Sequence, residues 1–248
     1  MSDHNPLISI ITITYNAAGE LAPTMKSVKE QSFTDYEHLI IDGASKDNTL
    51  DVARSLGGKS LRILSEPDNS LYDAMNKGLT MARGKYVVFL NAGDAFHSPS
   101  VLDAYSREAA KGRDVIYADT VIVDKERNVI APRHLSAPRI LSYRSFANGM
   151  LVCHQAFMVR KAIAPAYDLQ YRFSSDYDWT VRCLKNTKPE KCINLNMVAI
   201  DYLNDGLTDK NKLKSLRERF DIMCRHYGTV HTIVNHIKFL FRAAKRKF

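Results

Sequence analysis

Three short polar clusters interrupt apolar stretches of this sequence: Thr14-Tyr15-Asn16, Asp42-Gly43-Ala44-Ser45 and Asn91-Ala92-Gly93-Asp94. Each follows a run of β-branched, aliphatic or aromatic residues that reads as a buried strand. An amide or carboxylate placed where such a strand stops faces the crevice beyond the carboxyl end of a sheet, where ligands of open α/β folds bind. The run Tyr86–Leu90, ending at Asn91 and Asp94, is bounded in front by Gly84 and is apolar throughout. A hard cation prefers carboxylate and phosphate oxygens. The chemistry expected at this segment is therefore a phosphate-plus-metal site built around Asp94.

These clusters need a scaffold, and the rest of the pattern supplies its rhythm. Leu7–Thr14 and Tyr36–Ile41 read as strands, and Leu61–Leu64 as a shorter one. Between them, Leu21, Met25 and Val28 recur at helical spacing. Ser45 or Asp47 caps a helix that Gly57-Gly58 stops, and Leu71–Arg83 is a helix ended by Gly84. This alternation predicts an α/β fold, with a parallel, Rossmann-type nucleotide-binding half over residues 1–97. No Gly-x-Gly-x-x-Gly follows the first strand and no Walker loop is present, which removes most weight from dinucleotide and P-loop readings.

After Asp94 the rhythm changes. A helix from Ser98 or Ser100 to Lys111 precedes strands at 114–123 and 128–133. An apolar strand at 149–159 carrying His154, a helix at 176–184 and a strand at 191–201 follow. Residues 98–206 thus predict a mixed sheet suited to holding a second substrate against the first, and residues 207–248 a basic helical tail.

The composition, 45% hydrophobic and 25% charged over 248 residues, is that of a globular chain with a sizeable core. No run approaches the roughly 20 apolar residues of a membrane span, and the N-terminus lacks a signal-peptide pattern, so the expected location is cytoplasmic. Cys153, Cys183, Cys192 and Cys224 form no Cys-x-x-Cys pair and read as reduced thiols rather than zinc ligands. The net charge of +8 is uneven. Residues 210–248 hold 11 Lys/Arg against Glu218 and Asp221, whereas residues 1–209 hold 24 against 25 acids. That pattern predicts one local cationic surface and no nucleic-acid interface.

Five segments, in order, carry a resemblance to the family 2 glycosyltransferases of the GT-A fold. They are Ile13-Thr14-Tyr15-Asn16, Ile40-Ile41-Asp42-Gly43-Ala44-Ser45-Lys46-Asp47-Asn48-Thr49, Asn76-Lys77-Gly78 with Ala82-Arg83-Gly84-Lys85-Tyr86, Phe89–Asp94, and Ser175-Asp176-Tyr177-Asp178-Trp179. The likeness spans about residues 7–205, and Glu66–Gly78 looks most like the branch that assembles bacterial surface polysaccharides. It implies an inverting transfer from a nucleoside-diphosphate sugar, most simply a UDP-sugar, to a glycan or lipid-linked acceptor, with Mg²⁺ or Mn²⁺ bound weakly.

Beside that resemblance the residues take expected roles. Asp42 accepts a base N–H such as a uracil imide, with a turn or cap as the competing reading. Thr14, Tyr15, Asn16 and Asn91 line the nucleotide pocket, and Asp68 and Asn76 the ribose or diphosphate side. Asp94 is the metal ligand. Here the sequence departs from the family, since the usual Asp-x-Asp appears with Gly93 in the place of its middle carboxylate and an amide, Asn91, at its start. Asp176 is the general base that takes the acceptor hydroxyl's proton, with Asp178 its competitor and helix capping the plain alternative. His154 and Trp179 are acceptor-side candidates, although a lone histidine on an apolar strand is more often a core residue. Tyr72 and Arg83 are further residues that could shape the pocket.

The tail places Leu213, Leu216, Phe220, Met223 and Tyr227 on one helical face, then Val230, Ile233, Val234, Ile237, Leu240 and Phe241 on another. Lys238, Arg242, Lys245, Arg246 and Lys247 surround the end of the second stripe. The tail either packs on the domain or lies on an anionic membrane; partial packing with a basic edge toward lipid satisfies both and makes the protein peripheral on the inner face of the plasma membrane. Two other functions compete. A sugar nucleotidyltransferase wants a Gly-rich, Arg/Lys-bearing triphosphate loop, which Tyr15–Glu20 does not supply. A non-catalytic nucleotide-sugar or glycan-binding module suits the thinned Asn91–Asp94 motif but leaves Asp176 unexplained.

Overall fold

The apolar run near the start of the chain forms β1 (Ile8–Thr14), and all seven of its residues are buried. A strand buried on both faces needs neighbours on both edges and a covering layer on each side. The computed structural model, which describes residues 5–204 and 212–244, supplies them. β1 pairs in parallel with β2 (Tyr36–Asp42) on one edge and β4 (Tyr86–Phe89) on the other, and β3 (Leu61–Ser65) lies parallel outside β2. The crossovers are α1 (Ala18–Lys29), α2 (Thr49–Leu56) and α3 (Leu71–Met81). Their register sets Thr14 against Asp42 and Asp42 against Ser65, so three strands bring polar residues to one level. Gly84 lets α3 return close to β1: a Cβ there would lie 2.5 Å from the Ser9 nitrogen.

Beyond β4 the sheet becomes mixed. Its further members are β5 (Ala95–Phe96), β6 (Val115–Val123), β7 (Val129–Pro132), β8 (Phe157–Arg160) and β9 (Cys192–Leu203). The order is β3-β2-β1-β4-β8-β6-β9-β5, with β7 folded back onto β6 as a hairpin. One sheet thus takes strands from both halves of the chain, from Ile8 to Leu203. The helices of the second stretch are α4 (Val101–Ala110) and α5 (Ser175–Lys185). The expected strand at 149–159 is mostly irregular. Gly149 turns the chain at φ +110, His154–Ala156 form a 3₁₀ turn, and only Phe157–Arg160 joins the ladder. His154 therefore stands on a turn rather than on a strand.

The tail forms α6 (Lys212–Tyr227) and α7 (Thr229–Ala244). α6 is tied to the domain: Ile222 and Met223 enter the same core cluster as Tyr177 and Trp179. The Glu218 carboxylate accepts the N–H groups of Arg172, Phe173 and Ser174 at 2.8–3.0 Å. α7 turns a polar side inward. Polar Thr232 and Asn235 are buried, with the Asn235 amide donating to the Ala147 carbonyl at 3.0 Å. Val230, Ile233, Val234 and Ile237 are 44–78% exposed. The Asn235 bond holds the inner face, and the apolar residues Val230, Ile233, Val234 and Ile237 point outward. Lys245, Arg246 and Lys247 lie outside the described residues, as do the side chains of Leu240, Phe241 and Arg242. No helix among the described residues is long and apolar enough to cross a membrane.

Candidate active site

Where β1, β2 and β3 end, Asp42 is fully buried and accepts from the Thr14 hydroxyl at 3.0 Å, the Ser45 N–H at 3.0 Å, the Ser65 hydroxyl at 2.7 Å and the Ser45 hydroxyl. Burial works to raise its pKa, but these bonds outweigh it and hold the carboxyl below its ordinary range. A carboxylate offers about four lone-pair sites, and these donors use them. The expectation that Asp42 accepts a base N–H is corrected: it is a knot joining three strand ends, and Thr14 belongs to that knot.

Asn16 closes the adjoining turn at φ 48, with its N–H on Ser45 Oγ and its Oδ1 accepting the Lys46 N–H, both at 2.8 Å. Tyr15 stays 67% exposed. A Cβ on Gly43 would meet the Tyr15 ring at 3.2 Å and Asp68 Oδ2 at 3.0 Å, so the glycine keeps a slot open between an aromatic face and a carboxylate. The other Asp68 oxygen takes Lys77 Nζ at 2.6 Å. Asn76 does not join them. Its amide bonds both ways to the Tyr167 backbone, at 2.7 and 3.1 Å, and is corrected from a donor contact to a clamp between α3 and that loop.

The Asn91–Asp94 loop is bound to its surroundings through Gln155. The Gln155 side-chain carbonyl accepts the Asn91 N–H at 2.7 Å, and its amide donates to Asp94 Oδ2 at 2.5 Å; the Leu203 N–H donates to Asp94 Oδ1 at 2.7 Å. Burial pushes the Asp94 carboxyl up to about 7, against the Leu203 and Gln155 bonds and the nearby Arg127 charge. Gly93 sits at φ +98 with Leu203 packed against it, a conformation that L side chains rarely adopt. The family implies a divalent cation here. The donor set is one carboxylate with a lone pair left on each oxygen, and Asn91 Oδ1, which is buried without a hydrogen-bond partner. No group of three or more His, Cys, Asp or Glu that could hold a metal ion occurs among the described residues. These residues fit only a cation that takes most of its ligands from a diphosphate and water.

Across the sheet end, Asp176 stands on the first turn of α5, 24% exposed at its side chain. The Tyr72 hydroxyl donates to its Oδ1 at 3.2 Å, and His154 Nδ1 lies 3.7 Å from its Oδ2. Tyr72 is held by stacking on Tyr167, which stacks on Trp179, with ring centroids 5.6 and 4.9 Å apart. Trp179 is fully buried, its indole N–H on the Pro165 carbonyl at 2.7 Å; the acceptor-side reading of Trp179 is corrected to a core support of that stack. Burial lowers the His154 pKa, with Asp176 opposing, and its Nε2 is buried without a partner. Asp178 is 1% exposed and fully engaged, bonding Arg182 Nε at 2.6 Å and His226 Nε2 at 2.7 Å.

Four participants carried little or no signal in the sequence. Gln155 bridges Asn91 and Asp94, and Tyr72, named only as a pocket-shaping residue, reaches Asp176. Arg133 acts electrostatically on His154, and Arg127 Nη2 donates to the Gly93 carbonyl at 2.6 Å while its Nε and Nη1 are buried without a hydrogen bond. The two arginines flank β7, and the β6–β7 hairpin carries Arg127 to the Gly93 carbonyl and Arg133 within electrostatic reach of His154. Two sets of contacts result: Tyr15, Gly43, Asp68 and Lys77 in one, and Tyr72, Asp176, His154, Gln155 and Asp94 in the other.

A half-parallel, half-mixed sheet with this strand-end cleft defines the GT-A class of glycosyltransferase folds. The chain belongs to glycosyl transferase family 2, whose family model matches residues 9–165. It is 31% identical over 227 residues to the PGL/p-HBAD biosynthesis glycosyltransferase of Mycobacterium bovis, covering 85% of this chain and 84% of that one. In structure it is similar to S. aureus TarS 1–349 in complex with UDP-GlcNAc (TM-score 0.69, 16% identity, 94% of this chain and 71% of that chain). It is also similar to the mannosyltransferase PcManGT from Pyrobaculum calidifontis in complex with GDP-Man and Mn²⁺ (TM-score 0.61, 15% identity, 90% of this chain and 65% of that chain). At such identities the structural likeness establishes the fold; the family match makes the protein a glycosyltransferase.

Proposed function

We propose that this glycosyltransferase moves a sugar, with inversion, from a nucleoside-diphosphate donor to a hydroxyl of a glycan or lipid-linked acceptor in surface glycolipid or polysaccharide synthesis. The observation that carries the reading is the placement of Asp176: half-open, with one oxygen held by Tyr72 and the other beside His154. A UDP-sugar is the donor of choice, its base in the slot between Tyr15 and Asp68 and its diphosphate by the Asn91–Asp94 loop.

In the reaction the acceptor oxygen forms a bond to the anomeric carbon while the bond from that carbon to the diphosphate oxygen breaks. The electron pair leaves with the diphosphate, and the acceptor proton passes to Asp176 Oδ2. A bound divalent cation supplies neutralising charge to the departing diphosphate. Asp94 and Asn91 Oδ1 are the residues to hold it, and Arg127 and Arg133 add fixed positive charge of their own. His154 excludes water and orients the Asp176 oxygen it faces.

The acceptor favours a site at the cytoplasmic face of a membrane, and the outward stripe of α7 supports attachment there. The test is release of nucleoside diphosphate from a set of nucleotide sugars with lipid-linked acceptors, for the wild type and Asp176→Asn. Equal transfer by both would remove Asp176 from the mechanism. Donor binding without release under any acceptor would turn the assignment to a binding module.

A further inference from the structure

α7 offers more than an apolar face. At 3.6 residues per turn, Val230, Ile233, Val234 and Ile237 share the outer side, and Thr232 and Asn235 the inner. His231 and Lys238, two turns apart, lie along one border between them. That border opens onto a cavity of about 480 Å³ between α6, α7 and the 3₁₀ turn Tyr143–Asn148. Its lining includes Tyr143, Arg144, Tyr227, His231, Asn235 and Lys238, and no lining residue is acidic. Tyr143 and Tyr227 stack with centroids 6.4 Å apart and rings nearly parallel. Arg144 lies 5.8 Å and Lys185 Nζ 5.5 Å from the Tyr143 ring centroid, so cations surround the aromatic wall. A second cavity of about 450 Å³ shares Tyr143 and Arg144 and extends past Lys185.

We infer that this cavity is a binding site for the phosphate-bearing headgroup of an anionic membrane lipid. Arg144 and Lys238 supply charge for a phosphodiester, Asn148 and His231 polar contacts, and the two tyrosines an amphipathic wall of the kind that settles at a membrane interface. The neighbouring apolar stripe enters the acyl boundary, which sets the headgroup level at the cavity mouth. The charge of the segment, 11 Lys/Arg against two acids over residues 210–248, selects an anionic surface over a neutral one. The cavity is also lined by His226, whose Nε2 holds Asp178 on the first turn of α5, the turn that carries Asp176. A lipid seated there thus sits against the support of the proposed base. The inference rests on the reading that α7 lies on the membrane, and adds a discrete headgroup site to it.

The experiment measures binding of the full chain to phosphatidylcholine vesicles with and without phosphatidylglycerol. It compares the wild type, Arg144→Gln/Lys238→Gln, and a control, Lys26→Gln/Lys29→Gln, which removes two exposed cations from α1. The expected result is that phosphatidylglycerol strengthens wild-type binding, that the cavity variant loses about thirty-fold in affinity for those vesicles, and that the control stays within a few-fold of wild type. Unchanged thermal unfolding of both variants keeps the comparison clean. Equal losses in the two variants overturn the headgroup site while leaving membrane attachment standing. Failure of the wild type to bind any vesicle overturns both. Calorimetry with inorganic phosphate distinguishes the sources: saturable phosphate binding lost in the cavity variant, with vesicle binding unaffected, makes free phosphate the ligand and overturns the lipid assignment.

Discussion

Gln155 and Asp94 share a hydrogen bond of 2.5 Å, and the same glutamine accepts the Asn91 N–H at 2.7 Å. One side chain, next to His154, therefore sets both ends of the loop at the donor side. The cleft is assembled by this neutral residue where the family pattern places more carboxylate, and the first prediction concerns the carboxylate that is left.

Asp94 is held protonated up to about 7 by burial, whereas an unfolded aspartate loses its proton near 3.9. Between those values the folded chain binds more protons than the unfolded one, so this residue makes stability fall as pH rises, by on the order of 3–4 kcal/mol across the window. Denaturant unfolding from about pH 4 to 8 should show this negative contribution, and Asp94→Asn should flatten it. An unchanged slope in that variant would assign the pH dependence elsewhere.

Gly93 stands at φ +98 with Leu203 against it. Restoring the family's middle carboxylate as Gly93→Asp is expected to cost about 1–2 kcal/mol of stability with no gain in Mn²⁺ affinity. Asn91→Asp keeps an ordinary backbone and should bind Mn²⁺ more tightly in the presence of nucleoside diphosphate. Calorimetric titration of both variants checks the pair, and the opposite ranking counts against the loop geometry.

Arg127 presents two buried nitrogens without hydrogen bonds beside Gly93. In Arg127→Gln the diphosphate loses a fixed cation, so transfer should depend more steeply on added Mn²⁺, while donor affinity without metal falls about ten-fold, as for one charge-assisted hydrogen bond. Equal metal dependence in variant and wild type would exclude a role for this residue toward the donor.

Asp176 and Asp178 should separate cleanly. Asp176→Asn is expected to lower transfer by 10²–10⁴-fold, the usual range for a general base, with the melting temperature little changed. Asp178→Asn breaks a buried pairing with Arg182 and His226 and should cost about 3 kcal/mol of stability. Nucleoside-diphosphate release and thermal unfolding, measured on both, decide the roles.

The strand ends at Thr14, Asp42 and Asn91 were legible because β-branched runs that stop abruptly leave few other readings. What Asp42 does there was not, because its donors Thr14 and Ser65 arrive from other strands and only the register reveals that its lone pairs are used. Gln155 and Tyr72 acquire their roles through contacts 61 and 104 residues away in sequence, and no local pattern encodes that. Trp179 followed a motif but points into the stack beneath Tyr72. The periodicity of α7 grouped Val230, Ile233, Val234 and Ile237, and all four are exposed. Periodicity does not say which side meets the domain, and the hydrogen bond from Asn235 to Ala147 decided that.

The attachment of α6 has a consequence for the gene. Glu218 closes the backbone ahead of α5, Ile222 and Met223 fill the core, and His226 steadies Asp178. A premature stop codon after residue 204 would leave Asp42, Asp94, His154 and Asp176 in the chain, yet it would withdraw the support beneath the proposed base. A chain that stops between residues 204 and 218 should therefore yield little folded enzyme. A chain shortened for solubility does better to keep both helices and place lysines on the outer side of α7.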